Sequence, residues 1–285
     1  GVQTCALPIS KSQFNANGNF GQSLKISNDN NFALVGEPGY NSGQGSITNY
    51  VLGFDNNFVE DITVSPSALN SAAFGYSLDT GDEYVVVGAP DSNSGQGYAY
   101  IYKRNFLGTI AETQVIAPPT AGAKAFGTSV IVSADDAWIY VGAADAANVY
   151  AYGYYEASNY ANTIVTSVGV PSYSLSFSPV STELISVKGA TKSYVPFVDY
   201  TVSGSTITFV SPIADTVVVR QSPGYIYVDT ISFANTSSLF GTTIAHTTDG
   251  RQIAVGAPAD NNSSGTVTLY DRSVEQFISI AGQTL

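Results

Sequence analysis

The sequence predicts an all-β fold assembled from repeated four-stranded units. Three observations carry this. Four stretches nearly repeat one another: FGQSL…ALVGEP from Phe20, FGYSL…VVVGAP from Phe74, FGTSV…IYVGAA from Phe126 and FGTTI…IAVGAP from Phe240. The distance from the Phe to the second Gly is 16, 14, 16 and 16 residues. The 19 Tyr and 14 Phe sit in short alternating runs, which suit pleated, half-buried strands. No segment sustains an apolar period of 3.6 residues, so helix content is expected to be low.

Each unit divides into four candidate strands, and the second shows them most plainly. Strand one is expected over 74–78, opened by the Phe-Gly pair, with a polar turn at 79–83. Strand two, 84–87, is closed by Gly88-Ala89-Pro90, where proline removes a ladder donor. Residues 91–97 form a turn by composition. Strand three, 98–102, alternates Tyr98, Tyr100 and Tyr102 on one face. Strand four is expected over 109–116. Unit one repeats the same turn at 41–45, unit four carries a relative of it at 261–265, and unit three shortens it to 145–148.

Successive Phe-Gly pairs are 54, 52 and 114 residues apart, so the third interval holds an insertion. The run 227–232 reads as the fourth strand of unit three, displaced by inserted material. The insert is itself strand-rich, over 173–177, 184–187, 199–202, 206–210 and 216–220, with a tight hairpin at Ser203-Gly204. The expected organisation is an irregular or artefactual segment over 1–13, units one to three over 14–159, an inserted small β-domain over 160–222, and the rest of unit three with unit four over 223–285.

Composition excludes several functions. Ten Lys and Arg stand against 22 Asp and Glu, a net charge of −12, with no basic run to neutralise phosphates; no nucleic-acid partner is expected. No apolar stretch reaches the roughly 18 residues of a membrane span. The single Cys5 cannot form an internal disulfide.

Four-strand units that open with Phe-Gly and turn at Val-Gly-(Ala/Glu)-(Pro/Ala) resemble the FG-GAP repeat, the blade of integrin-α-type β-propellers. The resemblance covers 20–270 apart from the insert. It implies a ring of radially packed four-stranded sheets, with four recognisable blades that either close on themselves or form part of a larger ring. Many FG-GAP units bind calcium between strands one and two through a D-x-D-x-D-G-like string. The loops here, 28–31, 79–83, 133–136 and 247–250, are shorter. None supplies the roughly six to eight oxygens that Ca²⁺ takes. Asp79 with Asp82 is the best remnant, with a polar turn as the default reading. The insert, expected to be sandwich-like, is similar over Tyr173–Pro179, Asp199–Phe209 and Asp215–Arg220 to a short β-module of tail-fibre and other virion proteins of tailed bacteriophages.

Chemistry is sparse. His246 is the only histidine, with Asp249 three residues on; it falls at the end of a strand and reads as structural or exposed. The acid pairs Asp82/Glu83, Asp135/Asp136 and Glu60/Asp61 could serve a glycosidase, but each reads first as a solvated turn or strand margin. Trp138 with Tyr150, Tyr152, Tyr154 and Tyr155 could form a carbohydrate-stacking platform, although alternation sends half of them to the core. No residue is assigned as catalytic, cofactor-binding or metal-ligating, and no cofactor is expected. The expected function is therefore a non-enzymatic binding or structural propeller, displayed on a phage virion or otherwise extracellular. Its partner would be a protein or glycan on a host or neighbouring virion surface. A bacterial surface or secreted adhesin is the alternative, and a polysaccharide-degrading enzyme on a propeller scaffold the third reading.

Overall fold

The computed structural model describes residues 16–68, 71–105, 107–120, 122–165, 170–213, 215–273 and 276–284. The first sheet contains β1 (Leu24–Ile26), β2 (Phe32–Glu37), β3 (Ser46–Leu52) and β4 (Phe58–Val64), antiparallel and in sequence order. The second repeats this with β5 (Ser77–Thr80), β6 (Tyr84–Ala89), β7 (Tyr98–Arg104) and β8 (Ile110–Ile116). The third begins with β9 (Phe126–Val132), β10 (Trp138–Ala143) and β11 (Asn148–Tyr155).

The chain then leaves this sheet for β12 (Tyr160–Val165), β13 (Ser172–Ser174), β14 (Ile185–Lys188), β15 (Ser193–Tyr194), β16 (Tyr200–Ser203), β17 (Thr206–Phe209) and β18 (Thr216–Gln221). It returns with β19 (Gly224–Ser232), which pairs with β11 as the outer strand of the third sheet. The fourth sheet is β20 (Thr243–His246), β21 (Gln252–Ala257), β22 (Thr266–Ser273) and β23 (Gln276–Thr284).

The Phe-Gly pair is a corner as much as a strand opening. In the second sheet β5 starts three residues after Phe74, because Ala73 (φ 57°) and Gly75 (φ 87°) are left-handed. The corner docks on the preceding sheet through a parallel bridge between Gly45 and Phe74, repeated between Gly97 and Phe126. The phenylalanine then packs edge-on against a strand-three tyrosine of its own sheet: Phe74–Tyr102 at 6.2 Å, Phe126–Tyr152 at 6.4 Å, Phe240–Tyr270 at 6.1 Å.

The Val-Gly-Ala-Pro glycine fits the same junction from the other side. A Cβ on Gly36, Gly88 or Gly142 would lie 2.0–2.1 Å from the carbonyl oxygen of Gly75, Gly127 or Gly241 of the next sheet. A strand-one hydroxyl seals each contact. Ser23, Ser77 and Ser129 donate to those same three carbonyls at 2.7, 2.8 and 2.6 Å. Three apolar clusters fill the spaces between sheets, one to each junction. The polar turns after the Ala-Pro are left-handed at Asn41 and Ser42, Asn93 and Ser94, and Asn261 and Asn262, which suits asparagine.

The inserted strands form two small sheets, β12-β18-β14-β15 and β13-β17-β16, around a core that includes Phe177, Tyr200, Phe209 and Val219. The insert does not stand clear of the repeats. The Gln114 amide on β8 donates to the carbonyls of Glu183 and Tyr225, both at 2.7 Å, and Ser193 donates to Glu112 at 3.0 Å.

Candidate functional site

The turns between strands one and two lie on one face of the array, and adjacent turns are latched together. Ser133 donates to Asp135 at 2.6 Å and accepts from the Trp138 N–H at 2.9 Å, which holds the β9–β10 turn. Asp136 takes φ 58° in that turn, which aims its carboxylate at the second sheet. There it accepts the backbone N–H groups of Glu83 at 2.6 Å and Tyr84 at 3.3 Å. The Asp82 N–H donates to the Ala134 carbonyl at 3.1 Å.

The result is a cleft of about 610 Å³ between the second and third sheets. Asp82, Glu83, Asp135, Asp136 and Glu156 supply its acid groups, Lys103 its cation, and Tyr84, Trp138 and Tyr154 its aromatic surface. Burial pushes the Asp136 carboxyl up to about 6, and the charges of Asp82 and Glu83 add to this against the two N–H bonds. Lys103 Nζ lies 2.9 Å from Glu83 and 5.4 Å from the Tyr84 ring centre. Trp138 is fixed by Tyr140, stacked at 6.4 Å, and by the Arg272 guanidinium 3.9 Å from its ring. The Tyr84 and Tyr154 hydroxyls meet at 3.3 Å.

Two of the three acid pairs singled out in the sequence therefore share one cleft, and Trp138 and Tyr154 join them. Glu60 and Asp61 lie apart on β4, where Asp61 accepts from Asn49 at 3.2 Å. Tyr150 and Tyr152 are core, at 0% and 1% exposure. Tyr84 and Lys103 were not singled out; they are cross-strand partners at the open end of the β6–β7 hairpin, and the third sheet closes the cleft over them.

Asp79 and Asp82 part company. Asp79 points to the axis of the array, where Lys25 of the first sheet reaches it at 2.6 Å, the Val132 N–H of the third at 2.9 Å and His246 of the fourth at 3.9 Å. Burial would raise the Asp79 carboxyl, but His246, the Lys25 ammonium and the Val132 N–H together hold it below its ordinary value. His246 is raised in turn, chiefly by the Asp79 carboxylate. The loop carboxylates Asp29, Asp135 and Asp249 are turned onto their own backbones. Among the described residues, no three His, Cys, Asp or Glu side chains are grouped to hold a metal.

These groups set a pH dependence of stability. The His246 pKa is raised above 6.5 on folding, so its contribution is full below 6.5 and lost as pH rises through the folded value. Asp136 is raised from 3.8 to about 6, so its burial costs stability above about 6 and nothing below 3.8. Asp79 is lowered, so its contribution holds above 3.8 and is lost as pH falls through the folded value. The melting temperature is expected to rise as pH falls from about 8 to about 5, then to drop below about 4. A melting temperature that falls steadily from pH 8 to 5 would contradict these assignments.

No family model matches the chain, and no curated protein matches it. Solved structures similar to it include a putative 6-phosphogluconolactonase from Bacteroides uniformis, at 12% identity and TM-score 0.42, covering 91% of this chain and 70% of that one. A second is the periplasmic gluconolactonase of Pseudomonas aeruginosa, at 13% identity and TM-score 0.38, covering 93% and 84%. A third is a β-propeller domain from Myceliophteria thermophila, at 8% identity and TM-score 0.44, covering 93% and 74%. The fold is all-β and propeller-like. The expectation of a non-enzymatic virion protein is corrected here, because the similar structures include proteins named as lactonases. Among the described residues no helix is long and apolar enough to cross a membrane.

Proposed function

We propose that the cleft between the second and third sheets is the active site of a hydrolase for a sugar-type ester, such as a sugar lactone. The observation that carries this reading is Asp136, a carboxyl raised to about 6 inside an aromatic-walled cleft. At neutral pH it is mostly ionised and can act as a general base. It takes a proton from a water whose oxygen bonds to the carbonyl carbon. Lys103, on the cleft wall, meets the charge that develops on the carbonyl oxygen. As the intermediate collapses, the C–O bond breaks and the proton passes from Asp136 to the departing alkoxide, giving a hydroxy acid. Trp138 and Tyr154 offer apolar surface to the sugar ring, and the remaining carboxylates accept from its hydroxyls.

The Phe-Gly and Val-Gly-Ala-Pro signatures support reading the scaffold as an FG-GAP-type propeller. The test is a panel of sugar lactones and aryl glycosides incubated with the purified chain. Acid release from a lactone, with activity rising as pH increases through about 6, is the expected result. Release of phenol from the glycosides with no lactone turnover would overturn the ester reading, and turnover of neither class would overturn the enzyme.

A further inference from the structure

Beside the acidic cleft lies a second cavity, of about 390 Å³, whose lining charge has the opposite sign. Tyr84, Lys103 and Tyr154 line both, so the two spaces adjoin. The second is bounded by β8 of the second sheet on one side and by β14 and β18 of the insert on the other. Strand alternation builds the insert's wall. In β14, Ile185 and Val187 turn into the insert core, which leaves Ser186 and Lys188 on the other face. In β18, Val217 and Val219 turn into the same core, and Arg220 stands opposite Ser186 in the register. The outer face of this small sheet is therefore basic, and it is turned toward β8, where Lys188 Nζ donates to the Glu112 carbonyl at 3.2 Å.

Three cations, Lys103, Lys188 and Arg220, line this cavity against one carboxylate, Glu112. In a chain with ten Lys and Arg against 22 Asp and Glu, that is a local reversal of sign. Glu112 does not cancel it. Its carboxylate is buried and accepts from Ser67 and Ser193, and Lys188 Nζ stays 3.9 Å away. The Lys188 ammonium, with three donors, keeps some to spare. Elsewhere Lys25, Arg104, Lys192 and Arg251 each face an aspartate. The Arg220 guanidinium has neither an ion pair nor a side-chain hydrogen bond among the described residues. Its planar fork of donors suits a two-handed grip on an oxyanion.

We infer that this cavity binds an anionic substituent, a carboxylate or a phosphate, carried by the sugar ester whose carbonyl lies beside Asp136. The inference names the substrate class of the hydrolase proposed above and rests on that reading. In the cleft itself Asp82, Glu83, Asp135, Asp136 and Glu156 face a single Lys103. An anionic group placed there would meet like charges; in the adjoining cavity it meets Lys188 and Arg220. The division of charge thus fixes which way round the substrate lies, with its acid group on the insert side and its ester on the Asp136 side. It also gives the insert a part in the site, through β14 and β18.

Calorimetric titration of the full chain with glucose, glucuronate and glucose 6-phosphate, near neutral pH and at low salt, tests this. The variants are Arg220→Gln and Lys188→Gln, with Arg251→Gln on the fourth sheet as the control for net charge, and circular dichroism checks that each folds. At least one of the two acids is expected to bind wild type about tenfold more tightly than glucose, and which one does so assigns carboxylate or phosphate. That advantage is expected to fall about tenfold in Arg220→Gln, to shrink in Lys188→Gln and to persist in Arg251→Gln. Equal binding of all three sugars, or no binding of either acid, overturns the inference. So does an advantage that survives both cavity variants, or one that Arg251→Gln removes as well. Lactone turnover is scored separately. Turnover of a neutral lactone with no preference for the acids keeps the hydrolase and overturns the anion site; preference for an acid with no turnover of any lactone keeps the anion site and overturns the hydrolase.

Discussion

Gly142→Ala is expected to prevent the third and fourth sheets from docking. The new Cβ would lie 2.1 Å from the Gly241 carbonyl oxygen and 2.3 Å from Ser129 Oγ. The first is backbone and cannot step aside without moving the Phe240 corner, whose ring is fully buried in the cluster between these sheets. Overpacking of this kind costs about 3 kcal/mol, a large share of the roughly 5–15 kcal/mol that holds a domain together. Gly256→Ala is the control. Its Cβ would meet the Thr243 hydroxyl at 2.4 Å and otherwise nothing nearer than 3.7 Å, so a side-chain rotation relieves it. Denaturant titration of both variants should show a large loss for Gly142→Ala and less than about 1 kcal/mol for Gly256→Ala. Equal losses would mean that the strand-two glycines are not there to admit the next sheet.

Asp136→Asn is expected to reduce lactone turnover by about 10²- to 10⁴-fold, the usual worth of a positioned proton-transfer group. The amide keeps one acceptor oxygen for the Glu83 and Tyr84 N–H groups, so the latch between the turns is loosened without being lost. A merely structural role would appear as weaker substrate binding with an unchanged pH profile. A base would appear as a fall in kcat together with loss of the rise through about pH 6. Retention of that rise in Asp136→Asn would exclude Asp136 as the base.

The repeats made the sheets legible because their cause is local. The Phe-Gly corner and the Val-Gly-Ala-Pro end recur at fixed spacing wherever one sheet meets the next. The cleft was legible only in pieces. Asp82/Glu83 and Asp135/Asp136 are ordinary turn residues in their own units, and about fifty residues of chain separate them. Their meeting depends on the angle between neighbouring sheets, which no single unit encodes. The same limit hid the partnership of Asp79 with His246, which crosses from the second sheet to the fourth. Asp79 read as part of the polar turn it shares with Asp82; in the structure it lies within β5 with its carboxylate buried at the axis. Tyr alternation did not separate core from cleft: Tyr150, Tyr152 and Tyr154 share one face of β11, and Tyr154 reaches the cleft because the sheet ends there.

The chain's single tryptophan, Trp138, stands in the wall of that cleft, between a stacked tyrosine and a guanidinium. All indole fluorescence from this protein therefore originates at one known position. Titrating candidate sugars while following the emission maximum gives a label-free binding isotherm for the cleft, and quenching by iodide against acrylamide reports how the acidic wall screens it.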